Sequence, residues 1–574
     1  MIKPKKMKKY ILLAIVSAAA LSASAQLTIG GHLAVLDSLT STYLCPVAKT
    51  QFGTDLVAPV TYTADSTATV TIDGAEVAWG AEHTFAAVEG GKRWAITMAD
   101  GDSIVTRYIT FTYLPVMVMN GEFGSNYTLG TIQVLEPENY TDELMPCKVK
   151  WRGASTALSK RHKRNYHLKF VDEQGEKMDR KFMGLRKDNS WIMDAGQIDF
   201  LRVRNRVATQ IWNDFATLPY YADLEPKVKT GVDGGFVEVI LNGKYVGFYA
   251  LTEAMDRKQM KLAKYDPETL EIRGQLWKTT VLSSINSFMI YKPEYDNTSD
   301  NYYGIETKYP ELDEVCPTEY KTLVEAIAIA DTSTVSNFNH KADAYFDIPV
   351  LIDYEIFLQV LLATDSYSKN IYWFCYDRTA DKKLSLGVWD LDTSVGGNWE
   401  TGSFHPSSLS PTRSLIFANG TFGRISLYNS RWYRDSYKRY RELRNTFFTE
   451  DNIISYYENA VNEVTNCGAV AREEARWSRD SDLSGRELNI ASELEYVKDW
   501  IRIRLPHLDA NRYAEPVFGD VNGDRVVDIN DINVAVNCVL HDGIWDNWQS
   551  DVNQDGTTDV VDINNIINVI LNAQ

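Results

Sequence analysis

Alternating hydrophobic and polar positions characterise the first part of the chain, from residue 26 to about residue 113. The alternation is clear over Ala68–Ile72 and over Arg93–Met98 and Ile104–Thr112, which lie on either side of Asp100-Gly101. A period of two is typical of strands with one buried face, and an Asp-Gly pair between two such runs indicates a hairpin. The pattern predicts a small β-sandwich that spaces or contacts other parts of the protein.

The pattern changes to mixed periods between residues 114 and 512. Tyr166–Phe170 and Gly235–Thr252 alternate like strands, whereas apolar residues recur at helical spacing over Phe200–Phe215 and fill most of Ile348–Ala363. Tyr433–Leu505 is mostly helical in pattern. A strand-rich half followed by a helix-rich half predicts an α+β domain of two lobes, with a ligand cleft between them.

The last segment, residues 513–574, contains a duplication. Asp520–Asp531 reads DVNGDRVVDIND, Asp551–Asp562 reads DVNQDGTTDVVD, and an apolar helical pattern follows each copy. Carboxylate and amide oxygens at loop positions 1, 3, 5, 9 and 12 are the ligands of an EF-hand-type calcium loop. The predicted calcium ligands are Asp520, Asn522, Asp524, Asp528, Asp531, Asp551, Asn553, Asp555, Asp559 and Asp562.

The two copies differ at loop position 6, where the backbone turns sharply. The second copy has Gly556 there and the first has Arg525. A left-handed conformation at a residue with a Cβ costs about 1 kcal/mol, so we expect strain in the first loop.

Residues 1–25 have the pattern of a secretory signal peptide. Five lysines precede the short apolar run Ile11–Leu21, and Ala23-Ser24-Ala25 is a small-residue cleavage site. The apolar run is too short to span a bilayer, and no other run in the sequence approaches the necessary length of about 20 residues. We therefore expect an exported protein that is periplasmic, attached to the cell surface or secreted.

Charge and cysteine content exclude several classes of function. The formal charge is −18, and it becomes −23 without the five leading lysines, which disfavours nucleic acid and anionic membranes as partners. The six cysteines form no CxxC pair and therefore no common zinc motif. Long-range disulfides remain open in an oxidising compartment.

The stretch VWDLDTSVGGNW places two aspartates at the end of an apolar run. If Leu386–Leu391 is a strand, Asp390 and Asp392 point to the same face. Two carboxylates so close repel each other, which predicts a cation such as a metal ion between them. The alternative is a strand that ends in a polar turn with unpaired surface aspartates.

A second carboxylate precedes this stretch. The helix ending near Ala363 continues into DSYSKN, which places Asp365 five positions before Asn370. In protein kinases an Asp accepts the hydroxyl proton, and an Asn five residues later and a further Asp hold magnesium on the ATP phosphates. The order Asp365, Asn370, Asp390 follows that logic, although the spacing alone is common by chance.

Three further segments carry polar residues with more than one interpretation. Gly153–Thr156 joins two predicted strands and could offer N–H and hydroxyl groups to phosphate, and a lysine of Lys163–Lys169 on the second strand could reach the same phosphate. The alternative is that the second strand is a solvated basic edge strand. Arg204-Asn205, early on a helix, fits structural polar contacts. Glu253 ends a strand after the predicted Asn242-Gly243 hairpin and could face the cleft or the solvent.

In this order the segments resemble the CotH family, the spore-coat-type atypical protein kinases, over roughly residues 114–512. The resembling pieces are Arg152-Gly153 and its loop, Lys163 with Tyr166, Arg204-Asn205, LNGKYVGFYALTE, DSYSKN and WDLD. The His-Arg that precedes the first Asp in protein kinases is replaced by Ala363-Thr364, and the Phe-Gly after the second by Leu391-Asp392.

The resemblance implies a kinase-like domain that uses ATP with magnesium or manganese to phosphorylate protein hydroxyls. It implies that Lys163 holds phosphate and Asp365 orients the acceptor. Asn370 and Asp390 would hold the metal with help from Asp392. The implied cofactor-binding set is Arg152, Ser155, Lys163 and Glu253.

The duplicated tail resembles a type I dockerin, a family that binds calcium and docks to a cohesin module. The sequence therefore predicts a multidomain protein: an immunoglobulin-like β-sandwich over 26–113, a two-lobed α+β kinase-like domain over 114–512 and an α-helical calcium-binding dockerin-like domain over 513–574. The expected partners are a protein acceptor and a cohesin-like module or an intramolecular docking partner. Because ATP is scarce outside cells, a non-catalytic surface assembly or binding protein on a kinase-like scaffold is the alternative.

Overall fold

The computed structural model describes residues 26–63, 69–100, 103–153, 161–397, 409–413, 422–428, 431–483, 486–522, 524–540 and 548–572. The predicted signal peptide and Ser155 lie outside these ranges. Among the helices in the described ranges, none combines the length and apolar character needed to cross a membrane.

The N-terminal region is β-rich, as predicted. Nine strands join in the order β6-β5-β8-β9-β3-β2-β1-β4-β7 around a core that includes Phe85, Trp94 and Phe111. They are β1 (Leu27–Ile29), β2 (His32–Asp37), β3 (Thr42–Pro46), β4 (Leu56–Tyr62), β5 (Thr69–Ile72), β6 (Ala75–Glu76), β7 (Glu82–Phe85), β8 (Trp94–Asp100) and β9 (Ser103–Thr112). The antiparallel pairing of β8 with β9 matches the hairpin predicted there.

The next seven strands close into a barrel in the order β10-β11-β12-β13-β14-β16-β15. They are β10 (Val116–Asn120), β11 (Thr128–Leu135), β12 (Met145–Trp151), β13 (Tyr166–Phe170), β14 (Ser190–Asp194), β15 (Gly234–Leu241) and β16 (Lys244–Glu253). The predicted hairpin turn is present, since Asn242 and Gly243 have φ of 48° and 72°, which a two-residue turn between twisted strands requires. The barrel interior is apolar and includes Trp191 and Tyr249.

A five-stranded sheet follows in the order β18-β19-β17-β20-β21. Its strands are β17 (Gln275–Thr279), β18 (Asn301–Tyr302), β19 (Ile305–Tyr309), β20 (Tyr372–Cys375) and β21 (Ser385–Gly387). The described helices after the barrel's first strands are α1 (Arg204–Phe215), α2 (Lys321–Thr332), α3 (Val335–Tyr345), α4 (Ile348–Leu361), α5 (Gly423–Tyr428), α6 (Trp432–Thr446), α7 (Glu450–Asn466), α8 (Ala469–Trp477) and α9 (Ile490–Ala510). The second part of the chain is therefore helical, as expected.

Two predicted helices are shorter than expected. The helix predicted from Phe200 begins at Arg204, whose N–H donates to the Asp199 carboxylate. Helix α4 is buried all round, as its apolar composition requires, and ends at Leu361 because Leu362 adopts a left-handed conformation with φ of 51°.

The strand predicted over Leu386–Leu391 is wrong beyond its first two residues. Strand β21 ends at Gly387, and Asp390 has a left-handed φ of 62°. The alternation rule therefore does not apply to Asp390 and Asp392, which lie in an irregular segment after the strand.

The C-terminal segment contains two helices, α10 (Ile529–Leu540) and α11 (Val560–Asn572), each directly after one of the acidic loops. They enclose a small core of Val521, Ala535, Cys538 and Ile566.

Candidate functional site

A cleft of about 1660 Å³ lies between the barrel and the five-stranded sheet. The barrel contributes residues at or beside β12, β13 and β14, and the sheet contributes residues of β17, β19 and β20. The predicted residues that line this cleft are Arg152, Asp365, Asn370, Asp390 and Asp392. The fold therefore brings together segments that are more than 200 positions apart in the sequence.

One part of the cleft concentrates carboxylates. Burial raises the pKa of Asp392 well above its usual range, and the neighbouring Asp390, Asp194 and other carboxylates raise it further. Among the described residues, no donor forms a hydrogen bond with the side chain of Asp390 or Asp392. Neither side chain is therefore held by a hydrogen bond, although Asp390 is close enough to Lys278 to raise the pKa of that ammonium.

Asp194, at the end of β14, belongs to the same group and was not predicted. It accepts hydrogen bonds from the Asn205 side chain and from the Gly196 N–H, while burial and Asp390 raise its pKa. The Asn205 side-chain oxygen accepts the N–H of Leu391 at 3.0 Å. Asn205 thus ties the start of α1 to both carboxylate-bearing segments, which is the structural role predicted for Arg204-Asn205.

Asp365 lies at the other side of the carboxylate group. Asn370 Nδ2 donates to Asp365 Oδ2 at 3.1 Å and Lys369 Nζ donates to the same oxygen at 2.8 Å, whereas the buried Oδ1 has no partner within the described part of the chain. Burial raises the pKa of Asp365 although Lys369 opposes the shift. One oxygen is therefore held in place by two donors, and the hydrogen-bonding capacity of the other is unused within the described residues.

These residues fit a divalent cation by their chemistry. Carboxylate and amide oxygens are the ligands that magnesium and manganese prefer, and a divalent cation would offset the repulsion between Asp390 and Asp392. Among the described residues, one histidine and two aspartates have ligand atoms within 4.8 Å of one another, namely His162, Asp480 and Asp482, and none of them is a predicted metal ligand. The predicted residues share a cleft without forming so compact a set.

The adjoining part of the cleft is positively charged. Lys150, Arg152, Lys169 and Lys308 line it, and they help burial to lower the pKa of His167 to about 3. His167 is held between the Tyr127 hydroxyl and the Ser190 hydroxyl, at 2.9 and 2.8 Å. The cleft thus combines carboxylates, whose chemistry suits a metal ion, with cations, whose chemistry suits an anion.

Lys163 occupies a different environment from the one predicted for it. The ammonium is fully buried and donates to Phe248 O at 2.8 Å and to both oxygens of Glu473 at 2.9 and 3.0 Å. Its three N–H groups are therefore used, and burial lowers its pKa to about 8 despite Glu473. This placement does not support a direct contact between Lys163 and phosphate.

Glu253 is also buried away from the cleft. Its carboxylate accepts the N–H groups of Arg186 and Asp233 at 2.9 and 3.3 Å, so it links two chain segments at the barrel end. Neither of the two interpretations of Glu253, cleft or solvent, describes this position.

Sequence reasoning missed Asp194, Lys278 and Glu473. Asp194 ends an apolar run, WIMDAG, much as Asp390 ends VWD, and this similarity was a usable signal. No sequence signal identified Lys278 or Glu473, because the residues that they contact, Trp389 and Lys163, are distant from them in the sequence.

The two acidic loops of the C-terminal segment have matching internal hydrogen bonds. Asp520 accepts the N–H groups of Asp524 and Arg525, and Asp551 accepts those of Asp555 and Gly556. Arg525 has a left-handed φ of 70°, where Gly556 has 96°.

The last position of each loop also matches. Asp531 accepts the N–H groups of Val521, Asn522 and Asp528, and Asp562 accepts those of Asn553 and Asp559. Both loops thus curl around their first and last aspartates in the same way.

A comparison with known protein families places this geometry in context. No curated protein matches the chain. The family model described as CotH kinase protein matches residues 149–508, which include the cleft, its carboxylates and its cations. The match covers more than half of the chain, and the protein belongs to the CotH kinase family.

Proposed function

We propose that this protein is an exported phosphotransferase that uses ATP and a divalent metal, magnesium or manganese, to phosphorylate protein hydroxyls. One observation carries the proposal: the unpartnered carboxylates of Asp390 and Asp392 and a run of cations share one cleft. Phosphoryl transfer is catalysed by positioning and electrostatic stabilisation, so a metal site beside an anion site is its main requirement.

Each side chain then has a definite task. Asp390, Asp392 and Asn370 would hold the metal, which neutralises charge on the phosphates of bound ATP. Arg152 and neighbouring lysines orient the phosphate chain. Asp365 orients the acceptor hydroxyl and takes its proton on Oδ1, since Oδ2 already accepts from Asn370 and Lys369.

Lys163 and Glu253 act through the scaffold in this proposal. Lys163 pairs with Glu473 and connects the barrel region to α8, and Glu253 anchors two segments at the barrel end. Both were expected to contact the cofactor, and the proposal transfers the contact with phosphate to cations that line the cleft.

The C-terminal segment would attach the enzyme to its partners. We propose that both acidic loops bind calcium and that the segment acts as a dockerin-like module for a cohesin-like partner or for docking within the chain. The duplication, the matching loop hydrogen bonds and the small shared core support this assignment.

A phosphorylation assay tests the catalytic proposal. The purified chain is incubated with γ-labelled ATP, manganese or magnesium and a mixture of secreted proteins, and phosphorylated residues are identified by mass spectrometry. We expect wild-type protein and the exposed-site control Asp223→Asn to transfer phosphate and Asp390→Asn to lose transfer. Metal-dependent ATP binding without transfer under any condition would instead favour the non-catalytic binding protein, and absence of both would overturn the site assignment.

A further inference from the structure

Lys278 lies on the wall of the cleft formed by the five-stranded sheet. It is on β17, opposite Tyr372 of β20 and Glu306 of β19. The ammonium lies 5.7 Å from the centre of the Tyr372 ring and 5.8 Å from that of Trp389. Within the described ranges its side chain forms neither a hydrogen bond nor an ion pair.

The absence of a hydrogen bond or an ion pair is unusual for an ammonium that is partly shielded from water. Burial, helped by the nearby Arg152, lowers the pKa of Lys278 to about 8, while Asp390 opposes the shift. Lys278 is half-buried on the cleft wall, and a charge that is partly withdrawn from water is normally paired. The geometry therefore indicates that a ligand supplies the missing negative charge.

Arg152 faces the same point from the barrel wall. Its guanidinium lies 4.7 Å from the centre of the Trp389 ring, and Trp389 directly precedes Asp390. Two cations thus share one aromatic ring beside a predicted metal ligand. An anion between them would relieve their mutual repulsion and would lie next to Asp390.

We propose that Lys278 and Arg152, held on Trp389, form a clamp for the phosphate chain of a nucleoside triphosphate. This inference rests on the proposed function and names the part of the site that recognises the phosphates. Lys278 would take the role that the resemblance assigned to Lys163, whose N–H groups are already used. The two cations of the clamp lie on opposite walls of the cleft, Arg152 on the barrel wall and Lys278 on the wall formed by the sheet.

Calorimetry on the full chain tests the clamp with three probes: ATP, inorganic tripolyphosphate and adenosine, each with manganese. We expect Lys278→Met to weaken ATP and tripolyphosphate binding at least tenfold while adenosine binding is unchanged, and Lys278→Arg to restore most of the affinity. The matched control, Lys292→Met at an exposed site, should bind like wild type.

Thermal melting provides a second measurement that does not depend on transfer. Removing a half-buried ammonium that has no ion-pair partner should leave the ligand-free Lys278→Met protein at least as stable as wild type. It should also remove the rise in melting temperature that tripolyphosphate gives the wild type.

The outcomes separate the clamp from the proposed function. If wild type transfers phosphate and Lys278→Met binds tripolyphosphate equally well, the clamp is wrong and the phosphotransferase stands. If wild type binds tripolyphosphate through Lys278 but never transfers phosphate, the clamp stands and the phosphotransferase is wrong. If Lys278→Met unfolds and Lys278→Arg binds no better, Lys278 is structural and the clamp is wrong.

Discussion

Lys163 and Glu473 are 310 positions apart in the sequence and form a fully buried ion pair, with Nζ 2.9 Å from Oε1. Arg202 donates to the same Glu473 oxygen at 2.9 Å. The pair joins the segment before β13 to helix α8, which packs against β16 of the barrel. The lysine to which the resemblance assigned the phosphate contact is thus placed in a buried ion pair.

Lys163→Met should therefore reduce stability more than ligand affinity. Removing one partner of a buried pair leaves an uncompensated charge and typically costs about 3–5 kcal/mol, and we expect the lower value because Arg202 still pairs with Glu473. Urea denaturation measures the loss, and the double variant Lys163→Met/Glu473→Gln should recover part of it. If Lys163→Met kept the stability of wild type but lost most of its ATP affinity, the result would instead support a direct contact between Lys163 and the phosphates.

Asp390→Asn should stabilise the metal-free protein. The change removes one of the carboxylates that raise the pKa of Asp392, and at neutral pH the gain should be about 1 kcal/mol. Because the folded-state pKa of Asp392 is raised, metal-free wild type should lose stability as pH rises through that pKa. Melting curves measured from pH 5 to 8 test this. The melting temperature of metal-free wild type should fall with rising pH, whereas manganese should abolish the fall and Asp390→Asn should show a smaller one.

Asp365→Asn should separate binding from transfer. Asp365 lines the cleft, its buried Oδ1 has no hydrogen-bond partner among the described residues, and a positioned base contributes about 10²–10⁴-fold to rate. We expect ATP affinity within a few-fold of wild type and transfer reduced by at least a hundredfold. Equal losses of affinity and of transfer would place Asp365 among the metal ligands instead.

His167 should make the protein sensitive to acid. Its folded-state pKa of about 3 lies below the usual 6.5 because of burial and the nearby Arg152 and lysines, so between these values the unfolded chain takes up a proton that the folded chain does not. Stability should therefore fall as pH decreases from 6.5 towards 3. His167→Gln should lose less stability over this range than wild type or the exposed control His340→Gln, and parallel curves for all three would contradict the prediction.

Calcium should order the C-terminal segment. Its acidic loops repel themselves without cations, and its core is small, so we expect helical circular dichroism and melting temperature to increase on adding calcium and to fall with a chelator. Asp551→Ala should weaken the response, while Arg525→Gly should strengthen it by relieving a left-handed residue, worth about 1 kcal/mol. A circular dichroism spectrum unaffected by chelation would exclude a calcium-dependent module.

Local patterns were enough to predict much of the architecture. The β-rich N-terminal region, the helical second part and the Asn242-Gly243 hairpin follow from periods of two or 3.6 and from turn residues, which act within a few positions. Membership of the CotH family also followed from short motifs in a set order. Asp365, Asn370 and Asp390 reached one cleft as those motifs implied.

Tertiary structure alone decided the roles of the charged side chains. Whether a lysine holds a ligand or a glutamate depends on which distant segment packs against it, and neither Glu473 beside Lys163 nor Trp389 beside Lys278 can be inferred from sequence spacing. The direction of the Asp390 side chain also cannot be inferred from spacing, because it depends on a left-handed φ at that residue and not on the alternation of a strand. Electrostatic roles are set by burial and by neighbours across the whole fold, whereas the sequence determines only which charges are present.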